Sequence, residues 1–226
     1  MQQNDWAHLI EDLCSSDDAD RMVGASRLIA QIADQSHVSE LYTLLQNDDF
    51  FVRETAAEPL ARIEGLKALP MLFKAFTHGI QQGHDNDGLS HTIIELLETH
   101  KAAAAPLLID MLAAADSETR ANVAWGFGFV ASEVTADPLL AMLADPDVTV
   151  QSTAIGSLGS FDHDPRVVTA LLQALEDANE QVRIASISAL GYLGDPRAIE
   201  PLKKIHLNAN DKIRNVIEYA LKQLSG

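Results

Sequence analysis

NEQVRIASISALGYLGDPRAIEPL, residues 179–202, decides how this chain folds. Asn179 stands three residues before the pair Val182-Arg183, and small or apolar residues then return at Ser186, Leu190 and Leu193. That spacing is one stripe of an α-helix. A short Asx side chain accepts from the free N–H groups of a first helical turn, worth about 0.5–2 kcal/mol over Ala, so Asn179 predicts a helix start. Asp195 followed by Pro196 predicts another, because a first-turn proline gives up only an N–H that has no partner there.

The same arrangement recurs along the chain. Asp18, Asp49, Asn86, Asp116, Asp147, Asn179 and Asn210 follow one another at spacings of 31, 37, 30, 31, 32 and 31 residues. Each precedes a pair of the Val-Arg kind: Val52-Arg53, Thr119-Arg120, Val150-Gln151, Val182-Arg183 and Ile213-Arg214, with weaker counterparts at Arg21-Met22 and Leu89-Ser90. Upstream of each cap lies a second apolar stripe, such as Val38, Leu41, Leu44, Leu45 or Val168, Leu171, Leu172, Leu175. Each unit therefore reads as two antiparallel helices, with Pro70, Pro106, Pro138 and Pro201 early in the first. One such pair cannot bury its apolar faces alone, so the units must stack around a shared core.

These residues resemble the HEAT-like repeat first associated with phycobilin lyases. The resemblance covers nearly the whole chain, most strongly from about residue 104 onward. It implies an all-α protein, a right-handed α-α superhelix of about seven helical hairpins. It implies one domain over residues 1–226, with an insertion in the third repeat at about 79–88, and a concave surface lined by the second helix of each hairpin. Such repeats serve as scaffolds, adaptors, chaperones and occasionally enzymes, so the resemblance implies binding rather than one chemistry.

Composition narrows the partner. The chain carries 33 acidic against 16 basic residues, a formal charge of -17. Such a balance repels a phosphate backbone, which disfavours nucleic acid and favours a basic protein or peptide. Charge is also segregated: Glu11, Asp12, Asp17, Asp18 and Asp20 make the first repeat acidic, while Lys203, Lys204, Lys212, Arg214 and Lys222 make the last one basic. The N-terminus has no basic segment followed by an apolar run, and no uninterrupted apolar stretch of about 18 residues occurs, so the expectation is a cytoplasmic protein without a membrane contact. Cys14, the single cysteine, is expected to be a buried thiol.

Function should sit where the repeats differ at solvent-facing offsets of the second helix. Counted from the Val-Arg-like pair, offset 6 reads Arg27, Glu58, Glu95, Trp125, Gly156, Ser188, Tyr219, and offset 10 reads Gln31, Arg62, Thr99, Phe129, Ser160, Tyr192, Gln223. Trp125 and Phe129 stand beside Gly156 and Ser160, large rings next to a gap. An aromatic-walled depression is one reading, flanked by Glu58 and Glu95 on one side and by Tyr192 and Tyr219 on the other. Filling between repeats is the other reading for the two rings. Pro59, inside a second helix, predicts a bend.

No phosphate loop, dinucleotide fingerprint, paired-cysteine or zincin motif occurs, nor the paired His-Glu dipeptides of HEAT-like di-iron hydroxylases. THGIQQGHDNDGLSH, residues 77–91, gathers His78, His84, Asp85, Asp87 and His91, but at spacings that match no established metal site. It reads as a lengthened turn capped by Asn86, with His91 one turn before Glu95 on the groove. The expectation is a non-enzymatic scaffold or adaptor, without cofactor or metal, that holds a basic peptide or protein through Trp125, Phe129, Glu95, His91, Glu58, Tyr192 and Tyr219. Trp6, near the start, leaves end-to-end association open. The alternative is a bilin-binding lyase or chaperone subunit, since an aromatic pocket on this repeat type suits a linear tetrapyrrole; a metal-dependent enzyme ranks behind both.

Overall fold

The computed structural model describes residues 3–15, 18–112, 116–131, 136–162 and 164–225, and Asp17 of the acidic run lies outside them. Every regular element among the described residues is helical. The chain divides into two compact units, Met1–His100 and Lys101–Gly226. The first holds α1 (Gln3–Ser15), α2 (Ala19–Ile32), α3 (Val38–Leu44), α4 (Phe50–Glu64), α5 (Leu69–Gln82) and α6 (Asp87–Thr99). The second holds α7 (Lys101–Leu112), α8 (Ser117–Phe127), α9 (Asp137–Met142), α10 (Val148–Leu158), α11 (Pro165–Ala174), α12 (Glu180–Leu193), α13 (Ile199–His206) and α14 (Asp211–Gln223).

Within each unit the helices pair as hairpins, and the second helices pack side by side. In the first unit α2 packs on α4 and α4 on α6; in the second α8, α10, α12 and α14 pack in succession. Leu41, Leu60, Leu72, Ile93, Leu108, Val123, Phe127, Leu158, Leu171, Leu190, Leu202 and Ile217 are among the side chains buried between these layers. Each large aliphatic side chain so buried contributes about 2 kcal/mol.

Six of the seven Asx residues cap as the repeat predicts: Asp18, Asp49, Asp116, Asp147, Asn179 and Asn210 each accept from first-turn backbone amides. Asn86 does not. Its side chain is buried, its Nδ2 donates to the carbonyl of Phe76, and it lies against Gly79, where a Cβ would collide with it. The start of α6 is served from elsewhere: the amide of Asp87 donates to Asp85 Oδ1, and that of Gly88 to Glu54 Oε1, 2.9 Å away on α4.

The 79–88 insertion is also not the long turn the sequence suggests. Helix α5 runs on through Gln82 and ends at Gly83, whose φ of 72° is the left-handed conformation glycine adopts freely. Only four residues, 83–86, join α5 to α6, so most of the added length is helix.

The arginine of the Val-Arg pair has a clear task. Arg53 Nη1 donates to the carbonyls of Asn47 and Asp48, Arg183 Nη1 to those of Asp177 and Ala178, and Arg214 Nη2 to that of Ala209. Gln151 Nε2 does the same with the carbonyl of Asp145. The side chain thus reaches back five or six residues and ties down the turn between the two helices of its own hairpin. Arg120 instead pairs with the Asp145 carboxylate at 2.7 and 2.9 Å, holding that carboxyl below its usual range.

Two further expectations are corrected. Trp6 is buried and stacks on His37 with ring centroids 3.8 Å apart, so it offers no apolar end for association. Cys14 is exposed; partial burial and the nearby Asp49 carboxylate push its thiol pKa up, away from nucleophilic character. A separate matter is Pro59, which is buried within α4, a helix that runs on past it from Phe50 to Glu64. No helix among the described residues is long and apolar enough to cross a membrane.

Candidate functional site

The offsets chosen from sequence do face solvent. Along offsets 6 and 10 every residue is exposed except Trp125 and Phe129, which are half-buried. These two rings pack edge to face, centroids 5.1 Å apart at 81°, so part of each aromatic surface is spent on the other. They are neither sealed in the core nor open walls.

In the first unit, Glu58 and Glu95 line one cleft of about 550 Å³, together with Arg62, Glu64, Thr99 and His100. Arg62 comes from the same face of α4 as Glu58, one turn on, and lies 3.4 Å from its carboxylate. It also donates to the carbonyls of Ala30 and Ala33 at the end of α2. Glu64 accepts from Gln35 Nε2. The acidity of this cleft is therefore partly answered from within. His91 is exposed on α6, 4.0 Å from Glu95, a helical i, i+4 neighbour.

The other histidines of residues 77–91 have structural partners. His78 Nε2 lies 3.2 Å from Asp48 Oδ1, and His84 Nδ1 lies 2.8 Å from Arg53 Nη2. Because arginine stays protonated, Arg53 is the donor and His84 Nδ1 must accept, which fixes its tautomer. Arg53 is fully buried, so this contact and the two turn carbonyls are what hold its charge inside. Among the described residues no group of three or more His, Cys, Asp or Glu could hold a metal ion.

In the second unit, Tyr192 of α12 and Tyr219 of α14 flank a depression of about 610 Å³ that also meets Gly156, Ser188, Gly191 and Gln223. None of its described lining residues is charged. Tyr192 and Tyr219 are 79% and 65% exposed, unusual for rings of this size. Sequence reasoning named both tyrosines and Gly156 but missed Gly191, whose signal is visible only once α12 and α14 are placed against each other.

The protein-family comparison matches HEAT repeats over residues 7–82 and 136–222. In sequence the chain is similar to phycocyanobilin lyase subunit alpha of Nostoc sp. strain PCC 7120, 26% identical over 177 residues, which is 75% of this chain and 62% of that protein. It is also similar to phycocyanobilin lyase subunit beta of Thermosynechococcus vestitus, 28% identical over 124 residues, 53% of this chain and 55% of that protein. The matches thus span about three-fifths of the length of these curated relatives. Among solved structures, the complex of CpcE and CpcF of phycocyanin lyase from Nostoc sp. PCC7120 is similar with 19% identity and a TM-score of 0.42, covering 97% of this chain and 94% of that one. A likeness of that size adds nothing on function.

The expectation of a non-enzymatic protein is overturned by these relatives, both of which are subunits of lyases. That expectation rests on the absence of phosphate-loop, dinucleotide, zinc and di-iron motifs, and the absence of those motifs does not exclude other chemistry on this fold. With repeat matches over well over half its length and the hairpins, caps and turn-clamping arginines described above, the chain belongs to the HEAT-repeat family.

Proposed function

We propose that this protein handles a linear tetrapyrrole as a subunit of a bilin-lyase-type assembly. The observation that carries the reading is the sequence similarity to two phycocyanobilin lyase subunits, extending over 75% and 53% of the chain. The second unit supports it with an uncharged, aromatic-flanked depression of the kind that takes flat conjugated molecules. Trp125, Phe129, Tyr192 and Tyr219 would contact the chromophore and keep water from its rings. The test is direct: purified protein mixed with phycocyanobilin is expected to shift or sharpen the pigment's visible absorption. An unchanged spectrum across a titration counts against the reading.

A protein partner is part of the same proposal, since both relatives are subunits. The cleft with Glu58, Glu64 and Glu95 gives the first unit a polar surface suited to a partner's cationic side chains, with His91 at its edge. Charge there tunes association rate and register more than affinity. Glu95→Lys is expected to slow capture of such a partner and to leave the pigment's spectrum in the presence of the protein unchanged.

A further inference from the structure

The depression in the second unit has a construction that ordinary packing does not require. Helices α12 and α14 meet through small residues: a Cβ on Gly191 would lie 2.8 Å from both Cα and Cβ of Ala220, so the two backbones approach as closely as a glycine allows. Tyr192 follows Gly191 in the chain and Tyr219 precedes Ala220. The close crossing therefore sets two exposed tyrosines at the same gap. Tyr192 is also supported from the end of α10, where a Cβ on the capping Gly159 would come within 3.4 Å of its Cδ1.

Gly156 makes the third side. It sits inside α10 with no positive φ, and a Cβ built on it would meet nothing within 4 Å. Neither conformation nor crowding calls for glycine there, although glycine weakens a helix interior. Gly159 and Gly191, by contrast, each lie under a neighbour. A local rule broken without a packing reason is the mark of a functional position. What the absent side chain leaves is room: Gly156 lines the same depression as the two tyrosines.

We propose that this gap is the ring-binding site for the tetrapyrrole, with one pyrrole-type ring entering between Tyr192 and Tyr219 over Gly156. The inference rests on the bilin reading above and gives it a location. Tyrosine faces supply stacking surface at little entropic cost, and the hydroxyl of Ser188 and the amide of Gln223 offer neutral hydrogen bonds to ring N–H and carbonyl groups. Charge agrees with the placement. A linear tetrapyrrole carries carboxylate side chains, and in a chain of formal charge -17 the uncharged depression spares them the repulsion they would meet beside Glu58 and Glu95.

The experiment titrates the full chain with phycocyanobilin and follows the pigment's absorption, for wild type, Gly156→Leu, Tyr192→Ala, Tyr219→Ala and, as control, Glu98→Gln at an exposed position of α6. Gly156→Leu is the decisive variant, because its side chain enters open space and replaces a helix-weakening residue; it is expected to melt no lower than wild type. The proposal expects it to weaken pigment binding at least tenfold, each tyrosine variant to weaken it several-fold, and Glu98→Gln to bind as wild type. If wild type binds and Gly156→Leu and both tyrosine variants bind equally well, the site lies elsewhere: this inference fails and the bilin reading stands. If wild type shows no spectral change, the bilin reading fails and takes this inference with it.

Discussion

The second-helix faces of the two units are built on one repeat and differ in nearly every side chain they show. At the same offsets the first unit presents Arg27, Gln31, Glu58, Arg62, Glu95 and Thr99, whereas the second presents Trp125, Phe129, Gly156, Ser160, Ser188, Tyr192, Tyr219 and Gln223. One face carries four charged residues among six and the other carries none, with rings and gaps instead. The scaffold beneath them is the same, since Asx caps, buried leucines and turn-clamping arginines recur in both. Because the buried positions carry the stability, the exposed ones are free to diverge toward different ligands. On the proposed reading the charged face selects another protein by complementarity, and the neutral one, open at Gly156, takes a flat molecule.

The largest test of this comparison is in the shared scaffold. Arg53 is fully buried, with its guanidinium on two turn carbonyls and His84, whereas Arg183 in the second unit is half-buried on two carbonyls alone. Arg53→Ala is expected to lose about 3 kcal/mol or more in chemical denaturation, and Arg183→Ala about 1 kcal/mol. Equal losses would show that His84 and the lengthened α5 add nothing to the clamp. Next comes Gly191→Leu, which must push α12 from α14 and is expected to cost about 2 kcal/mol. No loss would mean that the close crossing can relax, and with it the setting of the tyrosines.

Trp125→Ala sharpens the comparison from the aromatic side. A half-buried ring in an edge-to-face pair is expected to contribute about 1.5 kcal/mol, and a loss of about 4 kcal/mol would place it in the core rather than on the face.

The smallest expected effect is on acid stability. In the second unit Asp145 and Asp195 are held below the usual carboxylate range by Arg120 and Arg197, and Asp116 and Asp147 by the backbone amides of Thr119 and Thr149. Among the described aspartates of the first unit, Asp34 is held low in the same way, by the Ser36 hydroxyl. A folded pKa below the unfolded value of about 3.9 gives stability that is complete above that pH and is lost as pH falls through the folded value. Hydrogen exchange at decreasing pH should therefore open the second unit first. Opening of the first unit ahead of it would reverse the assignment.

How far the site could be read from sequence follows the same division. Tyr192, Tyr219 and Gly156 were legible because they break a repeated pattern at solvent-facing offsets. Gly191 was not, since glycine at a helix crossing looks the same in sequence as glycine in a loose helix. Residues 79–88 misled for a related reason. Glycines at 79, 83 and 88 with polar neighbours read as a turn, but Gly79 lies in α5, where the Asn86 side chain leaves no room for a Cβ, and Gly88 is in the first turn of α6 beside the Glu54 carboxylate. Asn86 itself fell at the cap position, yet the cap function passed to Glu54, 34 residues before the Gly88 amide it accepts from.

By itself the sequence determined the repeat, its hairpins, six of its caps and the positions that face solvent, because each depends on contacts within about one turn or on a period that recurs. Only the tertiary structure decided which neighbours those positions meet. It turned two histidines of a metal-like stretch into partners of Asp48 and Arg53, seated Trp6 on His37, paired Trp125 with Phe129, and opened the gap between Tyr192 and Tyr219. The physical reason is one of range. Helix period and capping are local energies written in short words, whereas a site is made by side chains about thirty residues apart whose meeting depends on how closely two helices pack.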